Sequence, residues 1–313
     1  MNGLELSRAY FEACGRPMLE RDFPALLPYL AAGLCGSGSE CFGYDDALSR
    51  DHDFEPGFIL FLPGEDVVSR RDEFLLERAY AKLPRSFRGV ERAALSPVGG
   101  ARHGVMRTAE YFEKKVGSPD GALDLRQWLA IPEQALAEAT NGELYFDNFG
   151  EVTSVRERLR FFPEDVRLKR LAGHLLLMAQ SGLYNYPRCL GHAEPGAAQL
   201  AVGEFARSAM SAAFLLRRRY QPFYKWAFRA LRELDGLGKM AQDLEYLLTT
   251  GNSEAEAKEK TARIEQIAAG VAAECANQGL TDLPDSDLEP LAYQLNKRIR
   301  DPELRNLHIL AAV

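Results

Sequence analysis

The sequence contains no Cys-x-x-Cys pair and no His-Glu-x-x-His, so the short signatures of thiol-redox and zincin chemistry are missing from its 313 residues. Its five cysteines, Cys14, Cys35, Cys41, Cys189 and Cys275, are odd in number and scattered, which argues against a disulfide framework and for a reducing compartment. No stretch approaches the ~18 uninterrupted apolar residues of a membrane span. Residues 1–20 are polar and charged, without the apolar centre of a signal peptide. A basic excess is missing too. Lys and Arg number 38 against 45 Asp and Glu, for a net charge of −7, so bulk electrostatics gives no reason to expect a nucleic-acid backbone as partner. No repeat and no low-complexity tract interrupts the chain. These absences point to a soluble, cytoplasmic protein with neither a membrane nor a nucleic-acid partner.

What is present is ordinary globular composition, 46% hydrophobic and 27% charged, at a length that suits two domains of about 100–200 residues each. Leu6, Tyr10, Phe11 and Cys14 recur at helical spacing, and Gly15-Arg16-Pro17 is expected to stop that helix. The apolar run 29–35 enters a glycine-serine turn and reads as a strand. Residues 58–62, bounded by Pro56-Gly57 and Pro63-Gly64, read as a second. Helices are expected near 71–83, 107–115 and 132–139, and a third strand over 144–147 after Asn141-Gly142. Past about residue 155 strand signals vanish. Leu168, Leu171, Ala172, Leu175, Met178 and Ala179 line one helix face up to Gly182, and Tyr184 to Arg188 reads as a loop. Further helices follow over 195–219, 221–235, 238–250 and 253–277, with one or two near 286–312. The fold class is therefore α+β: a mixed-sheet domain over 1–160, then a helical bundle over 161–313.

The chemistry concentrates in residues 36–53. Gly36-Ser37-Gly38-Ser39 follows the first strand, and Asp51 and Asp53 follow at spacing two. On an extended backbone, residues two apart point the same way, so the two carboxylates converge. Convergent carboxylates suit Mg²⁺, which completes its shell with phosphate oxygens. Glycines let the backbone approach a polyphosphate, and backbone N–H and Ser hydroxyl groups can cradle it.

This segment resembles the signature of the DNA-polymerase-beta-like nucleotidyltransferases: a Gly-Ser pair, then two acids flanking one residue on a strand. Gly38-Ser39 with Asp51 and Asp53 fits that signature best, and Gly36-Ser37 is the alternative pair. Residues 38–53, with Tyr186-Pro187-Arg188 and Pro222-Phe223-Tyr224-Lys225-Trp226, resemble a bacterial branch known only as a domain of unknown function. The resemblance implies transfer of a nucleoside monophosphate from a nucleoside triphosphate to an acceptor hydroxyl or amine, with release of pyrophosphate. The cofactor it implies is Mg²⁺, with Mn²⁺ as a substitute, and the acceptor is a small molecule or a protein. It also implies a third carboxylate on a neighbouring strand that acts as base and metal ligand. Asp147 matches that role best, ahead of Glu143 and Glu151. The chain departs from the pattern at His52, where an apolar residue is usual, and at Glu55-Pro56-Gly57, which interrupts the strand.

Secondary candidates lie in the helical half. Lys225, Arg229 and Arg232 form a basic stripe, and Lys225 is the expected phosphate contact, set against a plain solvated face. Arg167 and His174 have the spacing of helical HEPN-type RNases, against which stands a surface pair of no function. Two rival readings are thus carried beside the transferase: a catalytically inactive nucleotide-binding protein, and a HEPN-like RNase.

Overall fold

Helix α1 (Gly3–Tyr10) begins at a reciprocal cap: the Asn2 side chain accepts from the Glu5 amide, and the Glu5 carboxylate accepts from the Asn2 amide at 2.9 Å. The expected stop at residue 15 does not occur. One wide π-helical turn, Phe11–Gly15, passes directly into α2 (Arg16–Asp22). Pro17 falls in the first turn of α2, where its missing N–H costs nothing. The computed structural model describes residues 1–46, 54–92, 103–282 and 287–313. Strand β1 (Ala31–Leu34) follows, then β2 (Ile59–Leu62), α3 (Arg70–Ala81), β3 (Ser86–Phe87), β4 (Val90–Glu91), β5 (Gly104–Arg107), α4 (Thr108–Val116), α5 (Leu125–Ala130), α6 (Glu133–Thr140), β6 (Glu143–Asp147) and α7 (Glu151–Arg158).

The described residues divide into two compact units, Met1–Leu123 with Ile131–Arg160, and Asp124–Ala130 with Phe161–Val313. The first is built on a four-stranded mixed sheet in the order β5-β2-β1-β6. Strand β1 is antiparallel to both neighbours, with Gly33 opposite Ile59 on β2 and Leu34 opposite Glu143 on β6. β2 and β5 run parallel. A core of Tyr10, Phe11, Met18 and Leu19 packs with Leu60, Leu76 and Tyr80 around the fully buried Phe58. Phe11 meets Phe58 edge-on at 5.1 Å. Truncating either ring costs about 3–5 kcal/mol.

The second unit is all helix: α5, α8 (Glu164–Met178), α9 (Tyr186–Gly191), α10 (Pro195–Leu216), α11 (Tyr224–Arg232), α12 (Gly238–Thr249), α13 (Glu254–Asn277), α14 (Leu288–Lys297) and α15 (Pro302–Asn306). Alanines 198, 206, 209, 212 and 213 of α10 are buried, which lets neighbouring helices approach closely. The loop expected at 184–188 is helical instead. A π-helical stretch, Ala179–Asn185, joins α8 to α9, and Pro187 again occupies a first turn. Two lysines are fully buried with no ion pair among the described residues: the Lys260 ammonium donates to Thr250 O at 2.9 Å and Lys169 to Leu307 O at 2.7 Å. Each thereby satisfies a carbonyl at a helix end, and burial lowers the pKa of both. No helix among the described residues is long and apolar enough to cross a membrane.

Candidate functional site

The chain leaves the centre of the sheet at Leu34 and turns at once through Gly36, φ +114, and Gly38, φ +131. Both angles lie where side chains are rarely tolerated, which is why glycine stands there. The side chain of Asn141 fixes the first of them. Its Oδ1 accepts from the Gly36 amide and its Nδ2 donates to the Gly36 carbonyl, both at 2.9 Å. Arg156 holds the Asn141 backbone in turn, donating to the carbonyls of Thr140 and Asn141. Gly142, φ +69, allows the close approach this requires, since a Cβ there would lie 2.0 Å from Leu34 O.

The consequence is a run of three amides, those of Ser37, Gly38 and Ser39, that donate to no acceptor among the described residues. Ser37 is exposed and the next two residues are half-buried. Successive free N–H groups in a turn can form an anion-binding concavity. Ser39 O accepts from the Phe42 and Tyr44 amides, anchoring the far side of the loop. Behind it, burial pushes the Cys35 thiol up. The Lys115 ammonium lies 3.8 Å from where a Gly36 Cβ would be, and it pairs with Glu138 at 2.5 Å. Asn141, Arg156 and Lys115 escape detection in the sequence because they belong to other elements of the unit.

Asp51, His52 and Asp53 lie outside the described residues. The chain is described again from Phe54, just upstream of β2. Because β2 is antiparallel to β1, its first residues stand at the sheet end where the glycine loop begins. There Glu55 meets His103 at 3.0 Å, and Gly57 O accepts from the Ser7 hydroxyl. Among the described residues no group of three or more His, Cys, Asp or Glu could hold a metal ion.

Asp147 is not brought to this end. β6 runs against β1, so its last residue pairs with Ala31, the first of β1. Its carboxylate accepts from the Gly150 and Thr153 amides at 2.8 and 2.7 Å, closing the first turn of α7. Nearby, burial raises the pKa of the Glu151 carboxyl, and Asp147 and Asp66 add to the shift. The β6 acid beside the glycine loop is Glu143, opposite Leu34, and Arg8 grips its carboxylate.

In the second unit, Lys225 is exposed on α11 with its ammonium 5.1 Å from the centre of the Trp226 ring. Arg232 of the same stripe pairs with Glu245. Phe223 leans on the exposed Tyr224 at 4.3 Å. Arg167 is no surface residue. It is 2% exposed and chelates Glu164 through two hydrogen bonds. His174 has a buried Nδ1 without a partner among the described residues, and burial, aided by Arg170, drives its pKa down to about 3.

Residues 128–227 match a family model described as a domain of unknown function, DUF4037. The matched stretch includes β6, the Tyr186-Pro187-Arg188 segment and Pro222-Phe223-Tyr224-Lys225-Trp226, and begins after the glycine loop. No curated protein and no solved structure matches the chain.

Proposed function

We propose that the chain is a metal-dependent nucleotidyltransferase, moving a nucleoside monophosphate from a nucleoside triphosphate to an acceptor hydroxyl or amine. The observation that carries this reading is the set of three unpaired amides at Ser37, Gly38 and Ser39, presented by glycines of positive φ at the end of the sheet where β2 begins. Such a loop binds polyphosphate through fixed dipoles that need no reorganisation during reaction. The resemblance of residues 38–53 to the nucleotidyltransferase signature supports it, as does the α+β make-up of the unit around a small mixed sheet.

Asp51 and Asp53, two apart in sequence, would supply hard oxygen donors to Mg²⁺ or Mn²⁺, with phosphate oxygens completing the shell. The bound ion would neutralise charge at the α-phosphate. The loop amides and the Ser37 and Ser39 hydroxyls hold the β- and γ-phosphates, so the donor is oriented for in-line attack. The acceptor oxygen or nitrogen bonds to the α-phosphorus, the bridge to the β-phosphate breaks, and pyrophosphate leaves. The acceptor proton needs a base at this end of the sheet. Glu143 stands at this end of the sheet with Arg8 on its carboxylate, whereas Asp147 stands at the other end with its carboxylate committed to two amides.

That commitment also favours a second reading, a nucleotide-binding protein without transfer chemistry. Pyrophosphate release in the presence of Mg²⁺ and each of the four common nucleoside triphosphates separates the two. Release abolished by Asp51→Asn supports the transferase. Binding without release, across a panel of hydroxyl and amine acceptors, supports the second reading.

A further inference from the structure

We infer that Lys115 is a phosphate-reading residue of the glycine loop, held in reserve by Glu138. The inference rests on the nucleotide-binding reading of that loop and names a contact which the sequence signature does not contain. Lys115 belongs to the last turn of α4, remote in sequence from the loop, yet its ammonium and the Tyr111 hydroxyl lie within van der Waals reach of where a Gly36 Cβ would be, at 3.8 and 3.5 Å. It is thus a positive charge against the first residue of a concavity that already presents three unpaired amides. Its side chain is 19% exposed and that of Glu138 24%, so the pair is accessible from solvent. Glu138 is the ion-pair partner of Lys115 among the described residues. A lysine is a flexible point charge that can leave one carboxylate for a more highly charged phosphate. Glu138 and an incoming polyphosphate therefore compete for one ammonium.

The competition gives the two members of the pair opposite signs. Removing the lysine weakens polyphosphate binding, and removing the carboxylate strengthens it. A salt bridge that served only the scaffold would give both variants the same sign. The probe is Mg²⁺ with inorganic tripolyphosphate, which carries the phosphate chemistry without a base, titrated calorimetrically into the full chain. Lys115→Met should weaken binding about tenfold, Lys115→Arg should retain most of it, and Glu138→Gln should tighten it severalfold. Circular dichroism confirms that each variant is folded. An unchanged affinity in Lys115→Met, or a loss in Glu138→Gln matching that of Lys115→Met, overturns the inference while the nucleotide reading stands. A wild-type chain that binds neither tripolyphosphate nor any nucleoside triphosphate overturns the nucleotide reading, and this inference with it.

Discussion

Acidification should protonate the imidazole of His174, a half-buried residue whose Nδ1 is fully buried. In the folded chain burial holds its pKa at about 3, against 6.5 for the ordinary group. Between those values the unfolded chain binds a proton that the folded chain does not, so stability falls as pH falls through the window. Relative to about pH 7.5, where the contribution is nearly nil, the loss at about pH 5 is close to 1.5 pKa units, or about 2 kcal/mol. With a urea slope of about 2 kcal/mol per molar, the unfolding midpoint of the helical unit should drop by about 1 M. The assay is urea unfolding followed by far-UV circular dichroism at both pH values, in the wild type and in His174→Leu. The variant has no imidazole to protonate and should show an acid loss smaller by about 2 kcal/mol. Equal acid sensitivity in the two proteins would refute the reasoning. The HEPN-like reading would need Arg167 and His174 free to meet RNA, whereas Arg167 is buried and paired with Glu164.

Asp51→Asn combined with Asp53→Asn should abolish pyrophosphate release and leave the fold intact, because metal-site carboxylates act through charge; turnover retained in the double variant would sink the mechanism. Mg²⁺ with the preferred nucleoside triphosphate at a hundredfold excess over Kd should raise the melting temperature of the first unit by about 5–10 °C, and EDTA should remove most of the shift. Asp147→Asn should lower stability by loosening the start of α7 while sparing turnover, and Glu143→Gln should do the reverse; the opposite assignment of effects would return the base to Asp147. Gly142→Ala forces a side chain into φ +69 against Leu34 O and should cost at least about 2 kcal/mol by urea unfolding; an unchanged midpoint would mean that the turn relaxes freely.

Strands β1, β2 and β6 were legible because each is an apolar run bounded by glycine or proline. β5 was not, since Gly104-Val105-Met106-Arg107 offers no such run and its first three residues are only half-buried. The β3–β4 hairpin turns on Arg88 and Gly89, both with positive φ, and arginine gives no turn signal there. The wide turns at Phe11–Gly15 and Ala179–Asn185 have no sequence mark that separates them from helix ends. At the candidate site, the glycine-serine run was readable as a turn at the end of a strand. Its supports were not, because nothing local to Asn141 or Lys115 reveals which loop they reach. Asp147 shows the limit most plainly. That it ends a strand was readable, but the end of the sheet to which it belongs depends on the pairing direction of β6, which only tertiary structure decides.

The pairing of β1 with β6 also sets an order of assembly. Gly36 and Asn141 are 105 residues apart, and every hydrogen bond on one side of the central strand waits for the chain beyond residue 141. Contacts this distant in sequence form late, after the loop-closure entropy between them has been overcome. A nascent chain that has emerged only through α6 could already join β1 to β2, yet it would leave the other edge of Ala31–Leu34 bare, apolar and open to pairing with a neighbouring copy. The fold thus keeps its central strand exposed during synthesis until β6 closes it, and the same closure shapes the glycine loop. The shape of the glycine loop and cover for the open edge of the central strand arrive in a single step.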